Sequence, residues 1–451
     1  MPTDFEILKG AYNACEYENM ALDPGNPYWV DLWADGLRGD GIQVTEQIRS
    51  KIKYSDNPQQ ILFTGFRGSG KTTEFLSLAE KLRSDGYQVI LADVDDYLNL
   101  AMSVQSSDLL MVMAAAIDKH LAIGQNSVGR VLKGYWERLH TFLQTRLEPT
   151  EVSLGIPEVG NLQVAFKQDQ PFRQRMNQAL LARGRMSEFA VECKNFIDEA
   201  TAEMRRQYPD SNGTVFILDS MEKNRGFFDE AEKVRASLQQ VYLRDADLLR
   251  LPFHCVYTVP PWLAFLPEGV AMPFGRPMVL PMCKVNDRNS GQPYQKGLVI
   301  MRDLLARRFR AADIFEEPAV LDRLILASGG FPRELLRLIR DLIIKGLGQK
   351  TLPISAADAN QAIDALLIGE RAIFNQALTE DSLDLLACVA EKHQIYAQNA
   401  EMVHRCADLF DHHLILSYQN GEPWYDLHPL VKTAEKMKAQ LSKRKSLSGP
   451  T

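Results

Sequence analysis

Short apolar runs alternate with helical periodicity up to about residue 290. Residues 60–64 (QILFT), 87–94 (YQVILADV), 214–218 (TVFIL) and 253–258 (FHCVYT) are such runs, and turn-forming or charged residues flank them. That pattern predicts buried strands of a parallel sheet. Val279 and Leu280 suggest a fifth strand. Residues 72–84 put Phe75, Leu76, Leu78, Ala79 and Leu82 on one face of a helix. Strands separated by helices predict an α/β sheet covered on both faces.

Residues 98–210 are too many for a simple crossover between the second and third strands. Helical patterns cover 108–121, 128–147 and 172–208. Between them, Val152, Leu154 and Ile156, then Leu162, Val164 and Phe166, alternate with small or polar residues around Pro-Glu-Val-Gly-Asn, which predicts a hairpin. The expectation is a helical arm tipped by a hairpin; the alternative is extra packing on the sheet. After residue 290 the strand signals stop. Helical patterns at 294–309, 318–327, 331–345 and 356–367 predict a small helical domain. Two more, at 382–393 and 400–409, precede a hairpin around Asn420-Gly421, the outline of a winged helix. The predicted organisation is a lead-in (1–55), a core (56–290) with the 98–210 insertion, a helical lid (291–370), a winged-helix-like unit (371–435) and a basic flexible tail (436–451).

Composition narrows the class. A chain of 451 residues, 45% hydrophobic and 24% charged, has the balance of a soluble globular protein. Its length suits roughly two or three domains. A net charge of -7 argues against a surface coated with positive charge for nucleic acid. The longest uncharged apolar stretch, 109–117, is too short to span a bilayer. The N-terminus lacks a basic start followed by an apolar core. The expectation is a cytoplasmic protein with no membrane partner. The six cysteines form no C-x-x-C pair and no zinc spacing, as expected of reduced, buried thiols.

Gly65-Phe66-Arg67-Gly68-Ser69-Gly70-Lys71-Thr72 fits G-x-x-x-x-G-K-[ST] without a mismatch, between an apolar strand and an amphipathic helix. Gly65, Gly68 and Gly70 let the backbone wrap closely round phosphate. Phe66, Arg67, Ser69 and Thr73 complete the cradle, and the helix N-terminus adds its positive end. Lys71 is placed to reach the β and γ phosphates, and the Thr72 hydroxyl to ligate Mg²⁺. The implied cofactors are ATP and Mg²⁺. Asp219 ends the third strand, where a second metal-binding acid is needed. Glu222, three residues on, is a candidate general base or, alternatively, part of a solvated helix start. Thr258 ends the fourth strand, where its hydroxyl could hold the attacking water; strand packing explains it equally well. Asp93, Asp95 and Asp96 fit a turn or cap better than a metal site.

Ser328-Gly329-Gly330-Phe331-Pro332-Arg333-Glu334 opens a helix, and a plain helix boundary accounts for its Gly and Pro. Together with the P-loop, however, it resembles the STAND and AAA+ group of P-loop ATPases, over residues 45–350 and, with the winged helix, to about 435. The fold this implies is a three-layer P-loop NTPase core with a helical lid and a C-terminal winged helix. Gly330-Phe331-Pro332 matches the Gly-x-Pro that packs near the adenine in STAND proteins, which implies a nucleotide contact for Pro332. Initiator-type AAA+ proteins carry a sensor 2 arginine on this helix, which implies that Arg333 or Arg337 reaches the γ-phosphate. The chain departs from the group in three ways: Thr258 stands where many STAND proteins have Arg, the insertion is not part of the minimal core, and no repeat array follows the winged helix.

The resemblance implies an ATP-dependent switch that oligomerises, in signalling, replication control or antiviral defence. Residues 63–74 (FTGFRGSGKTTE) are similar to the loops of compact ATPases of bacterial conflict systems, which implies a separate effector chain as partner. Alternatives are a DNA-acting loader or replication-initiator-like ATPase, and a scaffold that holds ATP without turnover. Lys432, Lys436, Lys438, Lys443, Arg444 and Lys445 could meet phosphates, but Asp408, Asp411, Glu422 and Asp426 dilute any positive surface, so DNA is the less favoured partner.

Overall fold

The computed structural model describes residues 2–18, 21–123, 134–147, 155–226, 230–265, 272–348, 350–395 and 400–448. Its central sheet is parallel, in the order β2 (Gln88–Asp93), β3 (Thr214–Asp219), β4 (His254–Val259), β1 (Gln60–Thr64), β5 (Met278–Val279). β4 stands between β1, which feeds the glycine-rich loop, and β3, which ends in an acid. The register pairs Phe63 with Thr258 and Asp93 with Asp219, so the strands end along one edge.

Successive side chains of a strand point to opposite faces, and here they feed two cores. Ile61, Phe63, Val89, Val215, Ile217 and Val256 meet α2 (Val44–Lys53) and α3 (Lys71–Ser84) through Ile48, Ile52, Phe75, Leu78 and Leu82. Leu62, Ile90, Phe216, Leu218 and Tyr257 face the other way, into a core shared with α4 (Ser106–Ile123), α5 (Tyr135–Phe142), α6 (Leu162–Gln168), α7 (Gln170–Ala182) and α8 (Met186–Gln207). This makes three layers, with α9 (Glu230–Gln239) joining the second core through Val234 and Leu238.

The insertion is therefore a layer of the core and not a projecting arm. The expected hairpin is corrected too. Residues 162–168 are helical, with Leu162 and Phe166 buried four positions apart and Val164 exposed; Val152 and Leu154 lie outside the described residues. The single helix expected over 172–208 is two, broken at Gly184, whose φ of 61° is left-handed.

A second body of helices follows: α10 (Gln295–Ala306), α11 (Asp322–Ala327), α12 (Pro332–Leu342) and α13 (Ala356–Ala377). Leu335, Leu338, Ile339 and Leu342 form the inner stripe of α12. The N-terminal α1 (Asp4–Ala14) packs into this same core through Leu8 and Ala11. Arg340 binds the end of that segment, pairing with Glu16 at 2.5 Å and lying over the rings of Tyr12 and Tyr17.

α14 (Glu380–Lys392), α15 (Ala400–Asp411) and the antiparallel pair β6 (Ile415–Asn420) and β7 (Glu422–Leu427) make the winged helix. The chain ends with α16 (Pro429–Lys432) and α17 (Glu435–Ser448). The tail expected to be flexible is thus a helix through residue 448. Lys436 Nζ donates to Leu378 O at 2.8 Å, and Arg444 pairs with Glu391 at 3.1 Å.

Candidate functional site

At the end of β1 the chain turns back on itself, and the Ser69 N–H donates to Phe66 O at 3.1 Å. Gly68 (φ 89°) and Gly70 (φ 98°) hold left-handed backbone that other residues rarely adopt. A side chain on Gly68 would meet Arg333 Cδ at 2.9 Å. Among the described residues the backbone N–H groups of Gly68, Gly70, Lys71 and Thr72 meet no acceptor. They form the first turn and approach of α3, where helix donors are free, and together they make a nest for an anion.

Lys71 is buried inside this loop. Its ammonium donates to Gly65 O and Phe66 O, both at 2.9 Å, and pairs with Glu222 Oε1 at 2.9 Å. Glu222 rides on a short turn after β3. Its Oε1 holds Lys71, while its Oε2 is buried without a partner. Asp219 ends β3, and Thr72 Oγ1 donates to its Oδ2 at 2.7 Å. Burial, then the negative charge of Glu222, pushes the Asp219 carboxyl up to about 6; the Thr72 hydrogen bond and Lys71 pull the other way.

Ser220, between the two acids, has a φ of 77°. Such backbone persists where the surroundings enforce it, and here Thr258 does so. Its hydroxyl accepts from the Met221 N–H at 2.9 Å and donates to Leu218 O at 3.1 Å, fully buried. The hydroxyl's one proton and one of its two lone pairs are thus engaged by the turn that presents Glu222, a bracing task beside the expected one of holding a water.

Across the cleft, Arg333 lies over Gly68 and has no ion-pair partner among the described residues. Burial, then the neighbouring charge of Arg67, lowers its pKa. Arg337 is the opposite case: it pairs with Glu334 (2.6 Å), Asp341 (2.9 Å) and Glu370 (2.6 Å). Pro332 lines the cleft beside Arg333, and Arg67 stands exposed at its mouth. Only the backbone of Phe66 belongs to the cradle, since its ring packs with Phe331 (5.8 Å), Phe410 (5.7 Å) and His413 (5.9 Å). Ser69 Oγ is buried without a partner, and Thr73 Oγ1 accepts from the Leu22 N–H at 3.3 Å. Asp93 caps the turn after β2 by accepting from the Asp95 N–H at 2.9 Å.

The N-terminal segment contributes most of what the sequence left unseen. Trp29, Val30 and Leu32 wall a cleft of about 730 Å³ whose floor is the glycine-rich loop, a size suited to a small organic ligand. Trp33 Nε1 donates to Glu74 Oε1 at 2.9 Å, and Arg308 Nη1 to Tyr28 O at 3.2 Å. Arg38 is buried beneath the loop, donating to Ser69 O.

Free amides, a buried ammonium and an apolar wall fit a nucleoside triphosphate. The Thr72–Asp219 oxygen pair fits Mg²⁺. Among the described residues no cluster of three or more His, Cys, Asp or Glu could hold a metal ion by itself.

No protein-family model matches this sequence, and no curated protein is similar to it. Solved structures with similar outlines include the Walker-type ATPase paby2304 of Pyrococcus abyssi, at 12% identity over 91% of this chain and 99% of that one, with a TM-score of 0.40. The Aeropyrum pernix ORC2 protein in its ADP form aligns at 12% identity over 89% and 92%, with a TM-score of 0.38. The Thermotoga maritima RuvB branch-migration motor aligns at 13% over 87% and 93%, with a TM-score of 0.34. By its own sheet order, loop and acids, the chain has the α/β fold of a P-loop NTPase, followed by a helical region and a winged helix.

Proposed function

We propose that the protein is an ATP-binding and ATP-hydrolysing switch that assembles with copies of itself on binding Mg²⁺·ATP. The observation that carries this reading is the convergence of Lys71, Thr72, Asp219 and Glu222 at one end of the sheet, with Arg333 above them and without an ion pair among the described residues.

Each residue then has a defined task. The amides of Gly68, Gly70, Lys71 and Thr72 bind phosphate oxygens, and Lys71 leaves its loop carbonyls to meet the β and γ phosphates. Thr72 and Asp219 hold Mg²⁺, which neutralises phosphate charge. Glu222, freed from Lys71, takes the proton of the attacking water. Arg333 meets the terminal phosphate, and Pro332 borders the bound nucleotide. Closure is favoured because the lid gains an anion for a guanidinium that has no ion pair among the described residues.

The finer setting, bacterial defence with a separate effector chain, rests on the similarity of residues 63–74 to conflict-system ATPases. The packing of α15 supports a switch over a DNA loader. Phe410 stacks on Phe265 at 4.5 Å, so one face of α15 packs on the ATPase core, and its open face presents Glu401 and Asp408 with the single base Arg405, a poor match to phosphates. The test is sedimentation with and without Mg²⁺·ATP, alongside phosphate release. Assembly with release supports the switch. Nucleotide retained without release supports the scaffold, and strong salt-sensitive DNA binding supports the loader.

A further inference from the structure

Arg38 is a charged residue with 1% of its surface exposed, carried by a segment outside the sheet. Burying a guanidinium is costly unless it is paired and its hydrogen bonds are made; Glu74, buried nearby, supplies an opposite charge, while the guanidinium's hydrogen bonds go elsewhere. Arg38 directs its two terminal nitrogens to two backbone carbonyls, one within the glycine-rich loop and one just beyond the edge strand β5. Nη2 donates to Ser69 O, and Nη1 to Pro281 O at 3.3 Å. Its Nε has no partner. Pro281 follows Leu280, whose N–H donates to Thr64 O at 2.7 Å. The guanidinium therefore ties the loop to the sheet edge. The segment itself is fixed by Lys284 N–H donating to Leu37 O at 2.9 Å, and by Trp33 on Glu74.

The Ser69 carbonyl shares a rigid peptide plane with the Gly70 N–H, and in a trans peptide the two point in opposite directions. Fixing the carbonyl on Arg38 fixes the N–H on the far side. Gly70, at φ 98°, could otherwise accommodate a flipped peptide at little cost. A side chain on Gly70 would come within 3.5 Å of Arg38 Nη2, so the guanidinium lies close against this peptide.

We infer that Arg38 is a positioning residue for phosphate binding: it holds the Ser69–Gly70 peptide so that the Gly70 N–H faces the triphosphate. The N-terminal segment is thereby part of the phosphate cradle. The inference rests on the nucleotide-binding reading of the site.

The test compares affinities for Mg²⁺·ATP and AMP in the full chain and in Arg38→Met, which keeps an apolar stem and removes the fork. The ATP-to-AMP affinity ratio should fall about tenfold, as expected for loss of one aligned hydrogen bond to an ionised group. An anchor that only stabilised the fold would lower the unfolding temperature and leave this ratio unchanged; that result overturns the inference. If Arg38→Met does not fold, Arg38→Lys decides, because an ammonium cannot span both carbonyls. A smaller ratio supports the inference, and the parental ratio overturns it. A parent chain that binds ATP no better than AMP sinks the nucleotide reading and this inference together, whereas a parent with clear preference and an unchanged variant sinks Arg38 alone.

Discussion

Arg333 and Arg337 lie one turn apart on α12, and the structure gives them opposite work. Arg337 holds three carboxylates, among them Glu370, whose side chain is only 7% exposed. Arg337→Ala would leave that carboxylate buried without its cation. Cutting a buried pair costs about 3–5 kcal/mol. Since Arg337 keeps 27% of its side chain exposed, solvent screening brings the expected loss to about 2 kcal/mol. For a unit of 150–250 residues that is a fall of roughly 4–8 °C in unfolding temperature. Arg333→Ala removes a guanidinium that has no ion pair among the described residues, so stability without nucleotide should change by less than about 0.5 kcal/mol. ATP-dependent closure should be lost, however, while much of the ATP affinity remains. The assay is thermal unfolding without nucleotide, then sedimentation with and without Mg²⁺·ATP, for both variants. If Arg333→Ala melts early and still assembles with ATP, while Arg337→Ala is stable and does not assemble, the assignment is wrong. If both assemble as the parent does, the lid is not a γ-phosphate sensor.

Glu222→Gln should keep Mg²⁺·ATP binding and slow phosphate release by roughly 10²-fold or more, as for loss of a general base; unchanged release rules out that role. Asp219 gives a pH signature. Its folded pKa of about 6 exceeds the ordinary 3.8, so protonation favours the folded chain. That contribution is complete below pH 4 and is lost as pH rises through 6. Mg²⁺ needs the carboxylate, so stabilisation by Mg²⁺·ATP should grow over the same interval. Asp219→Asn should abolish this growth, and unfolding curves at pH 5–7 with and without Mg²⁺·ATP check it.

Strands β1 to β4 were legible because each is a largely buried apolar run, and the loop because its chemistry lies within eight residues. Asp219 was found because a strand's end is a local feature. What escaped detection depended on long-range contact. Arg38 meets Ser69 and Pro281, 31 and 243 positions away, and no local pattern marks such a partnership. Residues 162–166 deceived for another reason: Leu162, Val164 and Phe166 fit a strand's period of two, but Leu162 and Phe166 alone fit a helix, and only burial decides between them. Thr258 sits at the right strand end, but spacing could not show that its hydroxyl also braces the neighbouring turn. The tail helix carries its charges without a strong apolar stripe, so its docking on α14 had no periodic signal.

On the proposed reading, the loop at residues 65–73 holds a nucleoside triphosphate with Lys71 on its phosphates. Calorimetric titration of Mg²⁺·ATP into the parent and into Lys71→Ala tests it most directly. The parent should bind saturably at one site per chain, and a folded Lys71→Ala should show no detectable binding. Tight binding by Lys71→Ala, or none by the parent, would contradict it.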